Sequence, residues 1–269
     1  IVISHDSPDF LSRTLASLQK QPIDELIQVE TSSVANQNSQ ILSLPNASLA
    51  KSLALAVSKT SEQSEWLWIL HDDSAPLQDS LKELLQVVEL SPSVAVVGPK
   101  LTDWNNHKVI SQQGLTLTPR GALFSLVSDE LDQSQHDAVD DVLAVGTAGM
   151  LVKRSVYNSL GGLADGIPPL AADVDFSMRV RLAGHRVAVA PQSRVAHASL
   201  SMRGKRDRAW LRVTPKSALR RAELQLRLSY APLFAALTFW FFLPLLTLGR
   251  LVWRVWTKRP DRMVGDLAA

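Results

Sequence analysis

The sequence predicts an α/β fold in which a mostly parallel central sheet is flanked by helices, followed by a basic, apolar C-terminal region. Two observations carry this prediction. Short apolar runs alternate with amphipathic segments of helical period through the first hundred residues, and successive strand–helix pairs of that size wind right-handedly into parallel sheets. The runs are also apolar on both faces, as in "WLWIL" at Trp66 to Leu70, which is the pattern of strands covered from both sides. With 269 residues and 46% hydrophobic content, the chain can bury a full core.

Each element follows in order. "IVISHD" reads as a strand running into a turn, and Pro8 then opens a helix, "PDFLSRTLASLQKQ", with Phe10, Leu11, Leu15 and Leu18 on one face. "DELIQVETSS" is the second strand, ending at Glu30, and "NASLAKSLALAVSKT" the second helix. "EWLWILHDD" is the third strand, and "PLQDSLKELLQVVELSP" places Leu77, Leu81, Leu84, Leu85 and Val88 at helical spacing. "VAVVGPKL" is the fourth strand. From Thr102 to Asp141 the pattern loosens to weak strand signals. "DVLAVGTAGMLVKRSVYNSLGG" then predicts a strand, a Gly-bounded bend and a helix. "AADVDFSMRVRLAGHRVAVAPQSRVAHAS" predicts a helix closed by Gly184, a strand at Val187 to Ala190 and an extended piece ending at His197.

Charge is divided along the chain. Residues 1 to 199 hold 14 Lys and Arg against 22 Asp and Glu, and residues 200 to 269 hold 14 against 4, so a −8 region precedes a +10 tail. Such a tail serves nucleic acid, an anionic membrane surface or a phosphorylated substrate. Hydropathy separates these. Ser229 to Gly249 is 21 residues without a charge, enough at about 1.5 Å per residue to cross a hydrocarbon core of roughly 30 Å. Tyr230, Trp240, Trp253 and Trp256 lie in and just after it, and Arg250, Arg254, Lys258, Arg259 and Arg262 follow as headgroup-binding residues do. Basic residues flank both ends, so an interfacial helix competes with a span, and a buried core helix is the bland third reading. No nucleic-acid reader motif is present, so the expected partner is a membrane and not nucleic acid. The chain opens on "IVISHDSP" with neither initiator Met nor signal peptide, as expected of a piece of a longer membrane protein.

The absence of cysteine excludes disulfides, thiolate metal sites and a thiol nucleophile, leaving oxygen and imidazole as metal ligands. In open α/β sheets ligands bind just past the carboxyl ends of the strands. "HDDSAP" puts His71, Asp72 and Asp73 there. Carboxylate oxygens suit Mg²⁺ or Mn²⁺, the former usually held by one or two carboxylates plus substrate phosphates. Asp72 and Asp73 fit one direct contact and one through water or a sugar hydroxyl. Two exposed acids capping a helix that starts near Pro76 explain the same pair without a ligand. Asp173 and Asp175 meet the same two readings, as first-turn acids of their helix or as functional groups. His197, taken alone, reads as a structural histidine.

Taken together and in this order, the opening strand-turn-helix, the acids after the third strand, "GTAGMLVKRSVYNSLGG", "ADVDFSMRVRLAGHRV" and "VAPQSRVAH" resemble family 2 glycosyltransferases of the GT-A fold, over roughly Ile1 to Ala198. The resemblance implies an inverting, metal-dependent transferase with a nucleotide-sugar donor and Mg²⁺ or Mn²⁺ as cofactor. Asp73 matches the last acid of the family's Asp-x-Asp, and His71 replaces the first. Asp173 matches the general base, with Asp175 behind it in the same acidic cluster near the acceptor. His197 matches a histidine that completes the metal site with Asp73 and His71. Donor contacts fall on Ser4, His5, Asp6, Glu30, Asp72 and the Gly146, Thr147, Ala148 stretch. Arg203 and Arg206, with Lys205 and Arg208 beside them, are placed to clamp a diphosphate or meet lipid phosphates, and a solvated basic face explains them equally. The sequence departs from the family pattern at "VETSS", where "VDNGS" is familiar, and at Ala172, where Glu is common. "RDRAW" does not match the Gln-x-x-Arg-Trp of processive polymerases.

The expected organisation is a catalytic domain over 1–200, a basic amphipathic segment over 201–228, a transmembrane or interfacial helix over 229–257 and a basic tail over 258–269. A nucleotidyltransferase is excluded because "ISHDSPDF" lacks the Gly-rich phosphate loop that must follow its first strand. The competing reading is a catalytically degenerate domain that binds nucleotide or glycan, or scaffolds a membrane complex. The membrane segment points the transferase toward a lipid-linked or cell-envelope polysaccharide acceptor, with the catalytic domain on the cytoplasmic side of the cell membrane, where nucleotide sugars are found.

Overall fold

A computed structural model describes residues 1–32, 41–118, 121–138, 140–203 and 215–257. The first half follows the sequence pattern in β1 (Val2–Ser4), α1 (Pro8–Leu18), β2 (Gln28–Glu30), α2 (Leu49–Lys59) and β4 (Trp66–His71), and adds a short strand the pattern does not signal, β3 (Leu42–Ser43), between β2 and α2. Pro8 starts α1 where a helix has no intrahelical partner for an N–H. Ser48 caps α2, its hydroxyl accepting the Lys51 N–H. β1 lies between β2 and β4, parallel to both, with Ile3 opposite His71. The carboxyl ends of β1 and β4 therefore open at the same edge.

The second half turns the sheet from parallel to mixed. β4 runs almost directly into a short strand, β5 (Ser74–Pro76), so α3 (Ser80–Leu90) begins later than the expected start near Pro76. Strand β6 (Val94–Asp103) carries an antiparallel arm of β7 (Val109–Leu117), β8 (Leu123–Val127) and β9 (Glu130–Leu131), built from the loosely patterned region. Lys100, fully buried on β6, ties this arm down with 2.8 Å contacts to Asp132 and Asp137. The expected strand at "DVLAV" is reduced to isolated bridges at Asp141 and Ala144. The chain then forms β10 (Met150–Lys153), α4 (Arg154–Ser159), α5 (Pro169–Leu182) and β11 (Arg186–His197). β10 runs antiparallel between β4 and β6, and β11 lies parallel to β6 with a register shift between Ala190 and Arg194. The order across the main path is β3-β2-β1-β4-β10-β6-β11-β5.

Alternation of side chains across the strands divides the core into two layers. Leu67, Ile69, Met150 and Val152 meet α2 and α5 through Leu53, Ala56, Phe176 and Val180. Trp68, Leu70 and Leu151 meet α1 and α3 through Leu18, Leu81, Leu84 and Val88. Beyond this body come α6 (Pro215–Tyr230) and α7 (Leu233–Trp256). Ala222 and Leu226 of α6 pack against Ala171 and Val174 of α5. Leu233 to Trp253 has a mean hydropathy of 1.7 and is 6% buried, the one helix among the described residues long and apolar enough to cross a membrane. The expected basic tail, and Lys205, Arg206 and Arg208, lie outside the described residues.

Candidate active site

The end of β4 is not an exposed acidic turn. Asp72 and Asp73 are both buried, because β5 folds back onto β11 immediately after them, so the helix-capping reading of this pair does not hold. Asp72 Oδ2 accepts the His5 N–H at 2.7 Å, and its carbonyl accepts the Thr14 hydroxyl at 2.8 Å. Fully enclosed, Asp72 joins the ends of β1 and β4.

Asp73 is held differently. Its carbonyl accepts the Ala198 N–H at 3.0 Å and its Oδ2 accepts the Leu200 N–H at 2.9 Å. Oδ1 is turned to His197, whose Nε2 lies 3.5 Å away. That separation is long for a hydrogen bond and suits two donors directed at a shared ion. His197 ends β11, and its Nδ1 is 3.2 Å from the Ser199 hydroxyl. Bonding at Nδ1 orients the ring and leaves Nε2 toward Asp73, the kind of support metal-binding histidines require. His71 completes the group: His71, Asp73 and His197 offer ligand atoms that all lie within 4.8 Å of one another. Two imidazoles and a carboxylate are a donor set that fits a divalent cation.

The base candidate connects to this cluster through one hydroxyl. Thr147 N–H and Oγ1 donate to the two oxygens of Asp173 at 3.1 Å each, and His71 Nε2 lies 3.0 Å from the same Oγ1. A threonine hydroxyl has one proton. Given to Asp173, it requires His71 to donate from Nε2, which fixes the tautomer of the His71 ring. Asp173 sits in the second turn of α5, not the first, and its bonds go to Thr147 instead of to the helix start. Burial pushes its carboxyl up to about 6, against the Thr147 bonds and the His197 charge that lower it. A carboxylate near 6 is matched to taking a proton close to neutral pH. Gly146 lies beside this arrangement: a Cβ there would stand 3.5 Å from Asp173 Oδ2, an ordinary contact.

The other expected residues divide. Ser4 is buried and donates to Glu30 Oε2 at 2.7 Å, while the Ser32 N–H fixes Glu30 Oε1 at 3.0 Å, so Ser4 sets the acid at the end of β2. His5 Nδ1 lies 3.0 Å from the Thr31 hydroxyl. Asp6 is exposed in a left-handed turn with φ of 48°. Ala148 has its side chain in the core with Trp68 and Leu151. Arg203 pairs with Asp103 at 3.0 Å, and Asp103 is the strand neighbour of His197. Asp175 parts from Asp173: two residues on a helix lie about 200° apart, and Asp175 turns to Arg179 and Tyr230. The expectation of one acidic cluster is corrected by that geometry.

The family model described as "Glycosyltransferase like family 2" matches residues 1–218. The chain belongs to this glycosyltransferase family. No curated protein matches it by sequence. Among solved structures, this glycosyltransferase domain is similar to GalNAc-T7 with UDP, GalNAc and Mn²⁺ (TM-score 0.57, 14% identity), covering 82% of this chain and 46% of that one. It is also similar to the mannosyltransferase PcManGT from Pyrobaculum calidifontis in complex with GDP-Man and Mn²⁺ (TM-score 0.51, 16% identity), covering 99% and 85%. S. aureus TarS 1-349 is a third likeness (TM-score 0.52, 14% identity, 86% and 72%). The chain thus spans less than half of the GalNAc-T7 chain, and at these identities the likeness establishes the GT-A fold.

Sequence reading missed the parts of the glycosyltransferase site that are backbone or hydroxyl. Thr14 and the N–H groups of Ala198 and Leu200 fix Asp72 and Asp73, Ser199 orients His197, and none carries a motif of its own. Thr147 was legible only as part of a Gly-Ala stretch, whereas its position makes it the holder of Asp173. Thr147→Val keeps the shape and the N–H bond but deletes the hydroxyl, and is expected to lower kcat about tenfold through misorientation of the base. Thr147→Ser should retain most activity; equal loss in both would refute the hydroxyl role.

Proposed function

We propose that the domain is an inverting glycosyltransferase that uses a nucleotide-diphosphate sugar and a divalent cation to extend a lipid-linked or cell-envelope polysaccharide acceptor. The observation carrying this reading is the convergence of His71, Asp73 and His197 beside Asp173, joined through Thr147. The acceptor hydroxyl oxygen attacks the anomeric carbon, its proton passes to Asp173, and the bond from that carbon to the diphosphate oxygen breaks on the opposite side. A cation held by His71, Asp73 and His197 supplies positive charge that offsets the charge gathering on the departing diphosphate. Two imidazoles in the set favour Mn²⁺ over Mg²⁺, which prefers oxygen ligands and retains water. GalNAc-T7 and PcManGT were both solved with Mn²⁺ and nucleotide ligands. Glu30, fixed by Ser4 and Ser32, is the candidate contact for the nucleoside, and Arg203 beside the metal group the candidate contact for phosphate.

The exposed α7 and the +10 tail support attachment to a membrane, and a cytoplasmic domain with an acceptor in or near the lipid phase goes with that reading. A thermal-shift screen of nucleoside diphosphates and nucleotide sugars with Mn²⁺, Mg²⁺ or chelator tests the donor and the cation together. Stabilisation that needs both a metal and one nucleotide is expected, since ligand at about 100 times its Kd contributes roughly 2.7 kcal/mol. No shift with any pair would remove the donor reading. Labelled sugar should enter an organic-extractable or envelope fraction, and transfer to soluble acceptors alone would remove the acceptor reading.

A further inference from the structure

We propose that α6 and α7 form part of the active-site framework, in which a lipid bilayer seating α7 sets the position of the catalytic helix α5 through Tyr230 and Asp175. The inference rests on Asp173 of α5 being the base.

Three sides of α5 are occupied. Ala172, Phe176 and Val180 enter the main core, Asp173 faces Thr147, and Ala171, Val174 and Met178 meet α6. On this last side lies a line of polar contacts. The Tyr230 hydroxyl donates to Asp175 Oδ1 at 2.6 Å and reaches the Asp175 carbonyl at 3.2 Å. Arg179 Nε donates to Asp175 Oδ2 at 2.9 Å, and its other nitrogens donate to the carbonyls of Leu160 and Gly162 at 2.8 and 2.9 Å. Asp175 is thereby held between the turn at Gly161 and Gly162 and the last residue of α6. Such a buried, charge-assisted pair holds position more firmly than apolar contact does.

Tyr230 is also where α6 gives way to α7. Pro232 follows within two residues, and the Arg227 guanidinium lies 3.5 Å over the ring of Phe239, the one large aromatic of α7 that is buried. The Arg227–Phe239 stack ties the angle of α7 to α6, whose last residue is Tyr230. Its remaining aromatics, including Phe234, Trp240, Phe241, Trp253 and Trp256, are exposed. The helix is long enough to span, and the chain beyond Gly249 carries Arg250, Arg254, Lys258, Arg259 and Arg262, a complement to anionic headgroups. A bilayer is therefore the occupant, and its hold on α7 reaches Asp175, two residues from the base.

The test uses the full chain in detergent and in nanodiscs of anionic or zwitterionic phospholipid, with three readouts: kcat, affinity for nucleoside diphosphate with Mn²⁺, and hydrogen exchange of the α5 amides. Tyr230→Phe, which loses one oxygen and keeps the ring, should lower kcat about tenfold, speed exchange in α5, and leave nucleotide affinity unchanged. Wild type should gain kcat and α5 protection on passing from detergent to anionic nanodiscs. Phe239→Leu should keep α5 protection in detergent and lose the gain in nanodiscs, which secures the test if Tyr230→Phe folds poorly. Equal α5 exchange in wild type across all surroundings, or wild-type values for Tyr230→Phe, would overturn the proposal. Exchange that responds as expected with no nucleotide sugar turned over would uphold the coupling and defeat the transferase reading instead.

Discussion

Asp173→Asn is expected to lower kcat by about 10² to 10⁴, or roughly 3 to 5 kcal/mol of activation free energy, with nucleotide binding unchanged. Asparagine keeps the size and one acceptor oxygen, which the Thr147 N–H can retain, while its amide NH₂ faces the Thr147 hydroxyl, which can turn to accept from it. What disappears is the ability to take a proton. The same carboxyl should set the acid limb of wild-type activity. Burial raises it from 3.8 to about 6, so the ionised base is lost as pH falls through about 6 and kcat/KM falls with it. Stability moves the other way. A carboxyl with a raised folded pKa binds its proton more tightly folded than unfolded, so it favours folding below that value and costs stability as pH rises through the window from 3.8 to about 6. Asp173→Asn should therefore melt at a higher temperature than wild type at pH 7, and the two should converge toward pH 4. A variant that is less active but no more stable at pH 7 would show that Asp173 is not strained by its burial.

Asp73→Asn should abolish the metal-dependent part of nucleotide binding and lower turnover by a factor on the order of 10³, as loss of a main electrostatic contact does in transfer reactions. The substitution is chosen because Asp73 Oδ2 accepts the Leu200 N–H within a buried turn. Alanine would orphan that donor at a cost of about 1 to 3 kcal/mol and confuse folding with binding. Asparagine keeps the acceptor while removing the charge a cation needs. Titration calorimetry of nucleoside diphosphate with and without Mn²⁺ reads the effect directly. Wild-type affinity in the variant, still dependent on Mn²⁺, would move the metal away from Asp73.

How much of this was legible in the sequence depended on whether the signal was local. The helix opened by Pro8, the helix capped by Ser48 and closed at Lys59, and the apolar strand at Trp66 to Leu70 all follow from periodicity and caps that neighbouring residues define. β10 was not separated from the bend and helix expected after "DVLAV", and its direction was not legible either. An apolar run buried on both faces looks the same parallel or antiparallel, and only the partners β4 and β6 decide. The helix expected at Pro76 was displaced because Ser74 to Pro76 are taken up by pairing with Val195 to His197, more than a hundred residues away.

The site divides in the same way. The roles given to Asp73, Asp173, His71 and His197 came from the family resemblance, and local pattern by itself offered His71, Asp72, Asp73, Asp173, Asp175 and His197 as candidates. It could not separate Asp73 from Asp72, adjacent acids that differ only in what lies around them: Asp72 turns inward to His5, while Asp73 turns toward His197. Nor could it part Asp173 from Asp175, which the helical turn sends to Thr147 and to Tyr230. Periodicity determined the fold class, the order of motifs carried the family resemblance, and residue type supplied the candidates with the right chemistry. Tertiary structure decided which of those residues share a space, since burial, desolvation and hydrogen bonding arise between segments far apart in the chain.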